Sequence, residues 1–345
     1  MEQNKHKRPV PWNNTVVVCI TALLCCFLWG SAFPCIKIGY QIFGIAGDQP
    51  AAQIIFAGLR FTLAGILAVL IGSVIYRRLL LPKKESLRPI LHLSLLQTTL
   101  QYLFFYIGLG ATTGVKSSII EALSVFVAMF VACLVFRQET LQRNNIVGSV
   151  LGFAGVVVLE LWGSNESSAN VGGWLGIGEL CILLSTVAYA FSSVYLRKYS
   201  EKELPFVLSG YQFMVGGVTL VLLGMVMTLA VPQSTGMALA DMSAQQRFLE
   251  TMHMMSDGLG SRWGSGMVWY LALVSAVAYS LWGVLLKYNP VSRVAVYGFM
   301  TPVFGVVLSA VLLQEADTID PGMTVLSLAL VSVGTLLAQK KSRDR

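Results

Sequence analysis

Long apolar stretches recur along the whole chain, and short segments rich in polar and charged residues separate them. A helix needs about 20 apolar residues to cross the roughly 30 Å hydrocarbon core of a bilayer. By that measure the pattern predicts an all-α membrane protein with ten transmembrane helices, numbered here as spans one to ten. The predicted spans are 15–40, 53–76, 88–109, 113–136, 144–162, 172–196, 205–230, 267–287, 292–313 and 322–339.

The composition agrees with this interpretation and excludes several other classes. Of the 345 residues, 55% are hydrophobic and 12% are charged, whereas soluble domains carry roughly 25% charged residues. A soluble domain could not bury so much apolar surface. The six cysteines lie in apolar segments without a CxxC pair. We therefore expect neither a disulfide framework nor a cysteine metal site.

Basic residues are distributed unequally between the two sets of loops. If the N-terminus is cytoplasmic, all but five of the 24 Lys and Arg residues fall on the cytoplasmic side. The exceptions are Lys37, Arg60, Lys116, Arg247 and Arg262. Because cytoplasmic loops carry an excess of Lys and Arg, we expect a multi-pass protein of the cell (inner) membrane with both termini in the cytoplasm. The net charge of +7 then records topology and indicates no nucleic-acid partner.

The second half of the chain repeats the first. The matching positions of spans two and seven are Gly58, Phe61, Gly65 and Gly72 with Gly210, Phe213, Gly217 and Gly224. Further matches, each at its own offset, join Trp29 and Lys37 to Tyr189 and Arg197, Tyr106 to Tyr279, and residues 115–139 to 291–315, where Glu139 aligns with Glu315. Each half contains five helices, an odd number, so the halves enter the membrane in opposite orientations. Inverted repeats are typical of secondary transporters, whose site lies near the midplane.

The repeat also predicts the domain organisation. We expect a cytoplasmic segment 1–14, a first repeat 15–162, an external linker 163–171, a second repeat 172–339 and a cytoplasmic tail 340–345. The second repeat contains a long external loop, 231–266. In that loop Leu239, Met242, Leu249 and Met252 recur at near-helical spacing. Either a surface helix acting as a lid or an insertion without fixed structure fits this spacing.

Several short motifs give the chain a family resemblance. They are WGSAF (29–33), LRF (59–61), FRQE (136–139), TPVF (301–304) and LLQE (312–315). In this order the chain resembles the drug/metabolite transporter superfamily, EamA type, over about residues 15–338. The resemblance implies a bundle of two inverted five-helix repeats that moves small metabolites, often outward, by alternating access. Phe126 stands where the second repeat has Pro302, so span four is expected to lack the helix break of this family.

Two charged residues lie inside predicted spans at matched depth. Glu121 of span four and Arg60 of span two each lie about seven residues, or ~10 Å, below the outer surface. Charges inside a bilayer are costly and are functional candidates. We predict that they form a pair that responds to proton binding or to a cationic substrate. A purely structural role for either residue remains the alternative.

Polar and aromatic residues within the spans are the candidates for a substrate site. The full candidate set is Trp29, Ser31, Gln97, Gln101, Glu121, Tyr189, Ser192, Tyr279, Trp282 and Tyr297, with Arg60 as the partner of Glu121. Aromatic rings offer apolar area with a polar group, which suits an amphipathic metabolite, although Trp and Tyr also populate the membrane interfaces. HExxH, GxSxG and Walker A motifs are absent. The sequence therefore predicts no catalytic residues, no metal and no cofactor.

The favoured interpretation is a secondary active transporter of small amphipathic metabolites, with proton coupling as a hypothesis. The resemblance favours an exporter of amino acids or related compounds. The alternatives are a membrane-embedded enzyme, a channel, and a member of the same superfamily with a nucleobase or drug-like substrate. The lipid bilayer and the small-molecule substrate are the expected partners, and the sequence does not indicate an oligomeric state.

Overall fold

The computed structural model describes residues 12–47, 49–111, 120–162, 176–230, 243–313 and 320–339. Within these ranges the chain forms helices and no strand. Eight helices are long and apolar enough to cross a membrane, and two shorter apolar helices lie at Ile120–Val135 and Arg143–Val158. The predicted all-α, multi-pass membrane class is confirmed. Residues 1–11, Lys116, the linker 163–171, Leu239, Met242, Glu315 and the tail 340–345 lie outside the described residues.

Apart from the start of span four, which lies outside the described residues, the helices of the first half coincide with predicted spans one to five to within a few residues. They are α1 (Thr15–Phe43), α2 (Pro50–Tyr76), α3 (Leu87–Leu93, Ser94–Leu100 and Gln101–Ala111), α4 (Ile120–Val135) and α5 (Arg143–Trp162). The stretch Ser94–Leu100 of α3 is π-helical. Such widened turns are rare and frequently mark functional sites.

The second half contains one helix more than the sequence pattern predicts. Its helices are α6 (Ile177–Ser200), α7 (Pro205–Ala230), α8 (Ala244–Gly260), α9 (Arg262–Tyr288), α10 (Val291–Ala295, Val296–Phe299 and Met300–Leu312) and α11 (Pro321–Gln339). The additional helix, α8, lies in the predicted loop 231–266. Ser243 caps its start and Ser261 caps α9, each accepting a backbone N–H bond. As a result α9 begins at Arg262 and not at 267.

The structure corrects one expectation about α4. Without a proline, this helix was expected to be unbroken. The Leu123 N–H instead bonds to the Ile120 carbonyl oxygen at 3.1 Å, three residues back, which tightens the helix at this point. The irregular turn falls between Glu121 and Ser124, which both line the cavity described below.

Helices α2 and α7 approach each other through the glycines of the repeat. A Cβ atom at Gly58 would lie 2.7 Å from the Gly217 carbonyl oxygen, and one at Gly65 would lie 2.5 Å from that of Gly210. The absence of side chains permits this close approach. Because the contacts advance along α2 as they recede along α7, the two helices are antiparallel.

Helices α5 and α11 form a second antiparallel pair of the same kind. A Cβ at Gly148 would lie 2.4 Å from the Gly334 carbonyl oxygen. Farther along, the Ser327 hydroxyl donates to the Gly155 carbonyl oxygen at 2.7 Å. The two glycine-mediated pairs join the halves of the chain to each other.

A buried carboxylate fastens three helices at one end of the bundle. Glu139, which follows α4, forms an ion pair with Arg197 of α6. It also accepts hydrogen bonds from the backbone N–H groups of Val291 and Ser292, where α10 begins. An acidic group is stabilised at a helix N-terminus by the exposed N–H groups and the helix dipole. The loops at this end of the bundle, where α1, α3 and α10 begin, carry most of the Lys and Arg residues, and we call it the basic end.

Candidate functional site

A cavity of about 210 Å³ lies in the half of the bundle away from the basic end. It is bounded by α1, α2, α3, α4, α6, α9 and α10. Its lining residues are Trp29, Ala32, Phe33, Ile36, Arg60, Gln101, Tyr102, Phe105, Tyr106, Glu121, Ala122, Ser124, Val125, Ser185, Thr186, Tyr189, Val274, Ser275, Tyr279, Gly298, Thr301 and Pro302. Both halves of the chain contribute walls.

Aromatic rings close the cavity toward the basic end. The Trp29 ring lies 5.0 Å from the rings of both Tyr279 and Trp282, in edge-on geometry. The hydroxyl groups of Tyr102 and Tyr279 are hydrogen-bonded to each other at 2.7 Å. Trp282 and Tyr297 lie beyond this layer and are each 2% exposed. The bundle is therefore closely packed directly beyond this layer. We call this packed part, on the side of the basic end, the closed half.

Arg60 places a cation in the wall of the cavity. The side chain is 4% exposed, and its guanidinium carbon lies 4.5 Å from the Phe61 ring and 5.8 Å from the Tyr102 ring. Cation–π contacts offset part of the cost of removing this charge from water. The Nε atom has no hydrogen-bond partner among the described residues. The guanidinium can thus receive an anionic group of a ligand.

Glu121 lines the same cavity from α4. Its carboxylate forms no ion pair or hydrogen bond with any residue that the structure describes. In particular, no carboxylate oxygen of Glu121 lies within 4.0 Å of a guanidinium nitrogen of Arg60, so the predicted pair is not formed in this conformation. The cavity wall therefore contains one basic and one acidic side chain that form no direct ion pair.

The structure brings six of the predicted residues to this cavity. They are Trp29, Arg60, Gln101, Glu121, Tyr189 and Tyr279. The sequence analysis missed several others, among them Phe33, Thr186 and Ser275. Helical spacing from Tyr189 could have indicated Thr186, because residues three or four apart share a face.

Five predicted residues lie elsewhere. Trp282 and Tyr297 are buried behind the aromatic layer. The Ser31 hydroxyl donates to the Leu28 carbonyl oxygen at 2.7 Å and lies 2.8 Å from the Tyr270 hydroxyl. The Ser192 hydroxyl donates to the Tyr189 carbonyl oxygen at 2.7 Å.

Gln97, the fifth, is buried between α3 and α7. The Gln212 Nε2 atom donates to the Gln97 Oε1 atom at 2.6 Å. The other amide atoms of both side chains have no partner within the described ranges, and neither have the hydroxyls of Thr98 and Ser209. All four side chains are fully buried. The closed half of the bundle thus contains polar groups that its own packing does not satisfy.

Comparisons with known proteins agree with this architecture. Residues 16–161 and 176–338 match the EamA-like transporter family. The chain is 27% identical to the uncharacterized transporter YvbV of Bacillus subtilis, over 94% of this chain and 92% of that one. It is 26% identical to a probable amino-acid metabolite efflux pump of Salmonella typhimurium, over 91% of both chains.

Two further similarities are more limited. The chain is 30% identical to the S-adenosylmethionine/S-adenosylhomocysteine transporter of Chlamydia trachomatis, over 51% of each chain. A solved crystal structure superposes with a TM-score of 0.64 at 16% identity, over 93% of this chain and 96% of that one. At this identity the structural similarity shows the fold alone.

Proposed function

Because the chain belongs to the EamA-like transporter family, whose members are transporters and not enzymes, we propose that it is a secondary active exporter of amino acids or closely related metabolites. In this proposal the protein works by alternating access. The relatives named as amino-acid metabolite efflux pumps support both the substrate class and the direction.

The observation that carries the proposal is the pair of separated charges in one small cavity. Arg60 suits a carboxylate, and Glu121 suits an ammonium group, so the two together suit a zwitterion. The rings of Trp29, Phe33 and Phe105 offer apolar contacts for the rest of the substrate. The cavity of about 210 Å³ is smaller than the roughly 300–1,000 Å³ of sites for drug-sized ligands. This size favours an amino acid over S-adenosylmethionine or a drug-like compound.

We propose further that the chain forms ten transmembrane helices in two inverted repeats, with the boundaries given above. The two successive family matches support a duplicated unit. The glycine contacts support it too, because Gly58 meets Gly217 while their repeat counterparts Gly210 and Gly65 meet each other. Antiparallel packing of equivalent helices is what an inverted repeat requires.

The basic loops support a position in the inner membrane with the basic end facing the cytoplasm. The cavity of this conformation then belongs to the outward-facing half. Glu121 is the proposed proton-binding group for coupling. The titratable or charged groups around the same cavity are Arg60, Tyr102, Tyr106, Tyr189 and Tyr279.

Counterflow in proteoliposomes tests the proposal. Vesicles preloaded with an unlabelled amino acid should accumulate the labelled one transiently and saturably. Amino acid amides, which lack the carboxylate, and N-acetyl amino acids, which lack the ammonium group, should compete poorly. Flux without counterflow would indicate a channel, and chemical turnover of the solute would indicate an enzyme. Preferential counterflow of S-adenosylmethionine would contradict the proposed substrate class.

A further inference from the structure

The closed half of the bundle contains positions that correspond, through the repeat, to the walls of the open cavity. Gly58 and Phe61 match Gly210 and Phe213, so Arg60 corresponds to Gln212. The alignment of 115–139 with 291–315 makes Glu121 correspond to Tyr297. Gln212 is fully buried and Tyr297 is 2% exposed. The counterparts of both cavity charges are therefore buried in the closed half.

The same relation holds for the first helix of each repeat. Trp29 matches Tyr189, so Cys25 and Cys26 of α1 correspond to Ser185 and Thr186 of α6, which line the cavity. Both cysteines are fully buried. The Cys26 thiol donates to the Tyr297 carbonyl oxygen at 3.1 Å. Cys26 and Tyr297 therefore lie next to each other in the folded protein.

Unsatisfied polar groups are a second, independent indication. Gln212 Oε1 and Gln97 Nε2 have no partner in the described part of the chain, although both side chains are fully buried. Leaving a buried polar group unpaired costs roughly 1–3 kcal/mol. Apolar side chains would fill a purely structural core without this cost. Amide groups are useful on a surface that binds a polar ligand in another conformation of the protein.

We propose that Gln212, Tyr297 and the adjoining face of α1 at Cys26 form a latent substrate site that opens toward the basic end. This inference rests on the proposed function, since an inverted repeat changes access when its halves exchange conformations. The site takes the same zwitterionic class of substrate but is uncharged. The unpaired Gln97 Nε2 atom donates to the substrate carboxylate, and the Gln212 Oε1 atom and the Tyr297 hydroxyl accept from the ammonium group.

The latent site has neutral groups at the positions where the cavity has Arg60 and Glu121, and this difference affects the affinity for the substrate. An ionised protein group adds Coulomb attraction to its hydrogen bond with an oppositely charged substrate group, and a neutral amide or hydroxyl lacks this attraction. The substrate therefore binds more weakly to the site facing the basic end than to the charged site. The measurable result is a higher KM for substrate presented at the basic end.

Labelling of the native cysteines tests the latent site without any mutation. Wild-type protein in proteoliposomes is treated with a methanethiosulfonate reagent with and without an amino acid that undergoes counterflow, and the modified thiols are identified by peptide mass spectrometry. We expect Cys26 to react about tenfold faster or more during counterflow, because the closed half then opens. Cys133, which is buried but corresponds to no cavity residue, is the internal control and should not change.

A KM measurement provides the second test. Gln212→Ala should raise KM for substrate presented at the basic end about three- to tenfold, the effect of one net hydrogen bond, and change KM at the other end less than twofold. Ser149→Ala, which removes another buried unpaired hydroxyl far from the cavity, is the matched control. Melting temperatures establish that both variants fold.

The outcomes separate this inference from the proposed function. Cys26 labelling that rises with counterflow supports the latent site. The latent site is overturned if counterflow occurs with unchanged Cys26 labelling, or if Gln212→Ala has an effect of equal size at both ends. Neither result contradicts the proposed transport function. Absence of counterflow for every amino acid overturns the proposed function and the latent site with it.

Discussion

The guanidinium of Arg60 depends on its neighbours for its geometry. The Phe61 ring at 4.5 Å and the Tyr102 ring at 5.8 Å hold a planar cation at the cavity wall. Lysine carries the same charge, but its ammonium is a compact, strongly hydrated group that cannot bind a carboxylate in a bidentate manner. We therefore expect that a positive charge alone does not suffice for substrate binding at this position.

Arg60→Lys should preserve folding and weaken substrate binding. We expect KM to rise about tenfold, equivalent to the loss of ~1.4 kcal/mol, with little change in melting temperature. Counterflow kinetics provide the measurement. Lys37→Arg, at an exposed position of α1, is the control and should behave as wild type. An unchanged KM for Arg60→Lys would remove Arg60 from the substrate site.

The Glu121 carboxylate has no hydrogen-bond or ion-pair partner within the described residues. Glu121→Gln keeps the shape of the side chain and removes both the charge and the proton-binding group. The variant should fold, lose the preference for a free ammonium over an N-acetyl group by about tenfold, and lose the pH dependence of transport. An unchanged pH profile would show that Glu121 is structural.

At the scale of helices, the contact between α2 and α7 depends on atoms that are missing from glycine. A Cβ at Gly65 would lie 2.5 Å from the Gly210 carbonyl oxygen and 2.6 Å from the Met214 backbone nitrogen. Neither backbone atom can move without displacing α7. The helix pair consequently has little tolerance for any side chain at this position.

Gly65→Ala should destabilise the protein by roughly 1–3 kcal/mol, the usual cost of overpacking. Thermal unfolding in detergent measures it. Gly266→Ala in α9 is the control, because nothing lies within 4 Å of its Cβ position. This control should be neutral or stabilising by about 0.5–1 kcal/mol, the helix preference of Ala over Gly. Equal melting temperatures for the two variants would contradict the close approach of α2 and α7.

Helix α8 connects α7 to α9 and packs on the end of α1. Its Gly258 sits against the Phe43 ring, where a Cβ would lie 2.2 Å from a ring carbon. The predicted lid therefore has a physical attachment, although Leu249 of that prediction is 48% exposed. Because α8 contacts α1, α7 and α9, we expect it to move when those three helices rearrange.

Gly258→Leu should detach α8 from Phe43 and slow transport by about threefold or more while expression remains normal. Initial rates in proteoliposomes and the yield of purified protein are the two readouts. Leu259→Ala, at a neighbouring exposed position, is the control. If Gly258→Leu transports at the wild-type rate, α8 is not a lid.

In the molecule as a whole, the ion pair at the basic end joins the two halves of the chain in this conformation. Glu139 joins α4 of the first half to α6 and α10 of the second. The Glu139 side chain is 5% exposed and that of Arg197 is 23% exposed, so the pair is largely removed from water. Removing one member of such a pair leaves an uncompensated charge.

Glu139→Gln should therefore shift the population toward opening at the basic end. We expect Cys26 labelling to rise in the absence of substrate, and Arg197→Gln to have the same effect. The double variant should resemble Glu139→Gln alone, because that substitution already removes the ion pair and also weakens the bonds to Val291 and Ser292. Arg137→Gln, at an exposed residue nearby, should leave labelling unchanged. Additive effects of the two substitutions would contradict a shared ion pair.

Much of the fold could be predicted from the sequence, because the length of an apolar stretch is a local property. The helices match the predicted spans closely, and the missed features are tertiary. The residue spacing in the loop 231–266 does not decide whether α8 forms, because it also fits a segment without fixed structure. The break at Leu123 has no proline to indicate it. Six of the candidate site residues reach the cavity, whereas Ser31 and Ser192 bond to their own helices or to a neighbour.

The sequence by itself determined the membrane class, the family and the residues able to carry charge inside a bilayer. Only the tertiary structure decided which of those residues meet. Gln97 and Gln101 are one turn apart on α3, yet Gln101 lines the cavity while Gln97 pairs with Gln212 of α7. Gln97 lies in the π-helical stretch Ser94–Leu100, whereas Gln101 begins the α-helical part that follows. A sequence pattern specifies which face of a helix is polar, but packing against the other helices determines whether that face meets a cavity or a neighbour.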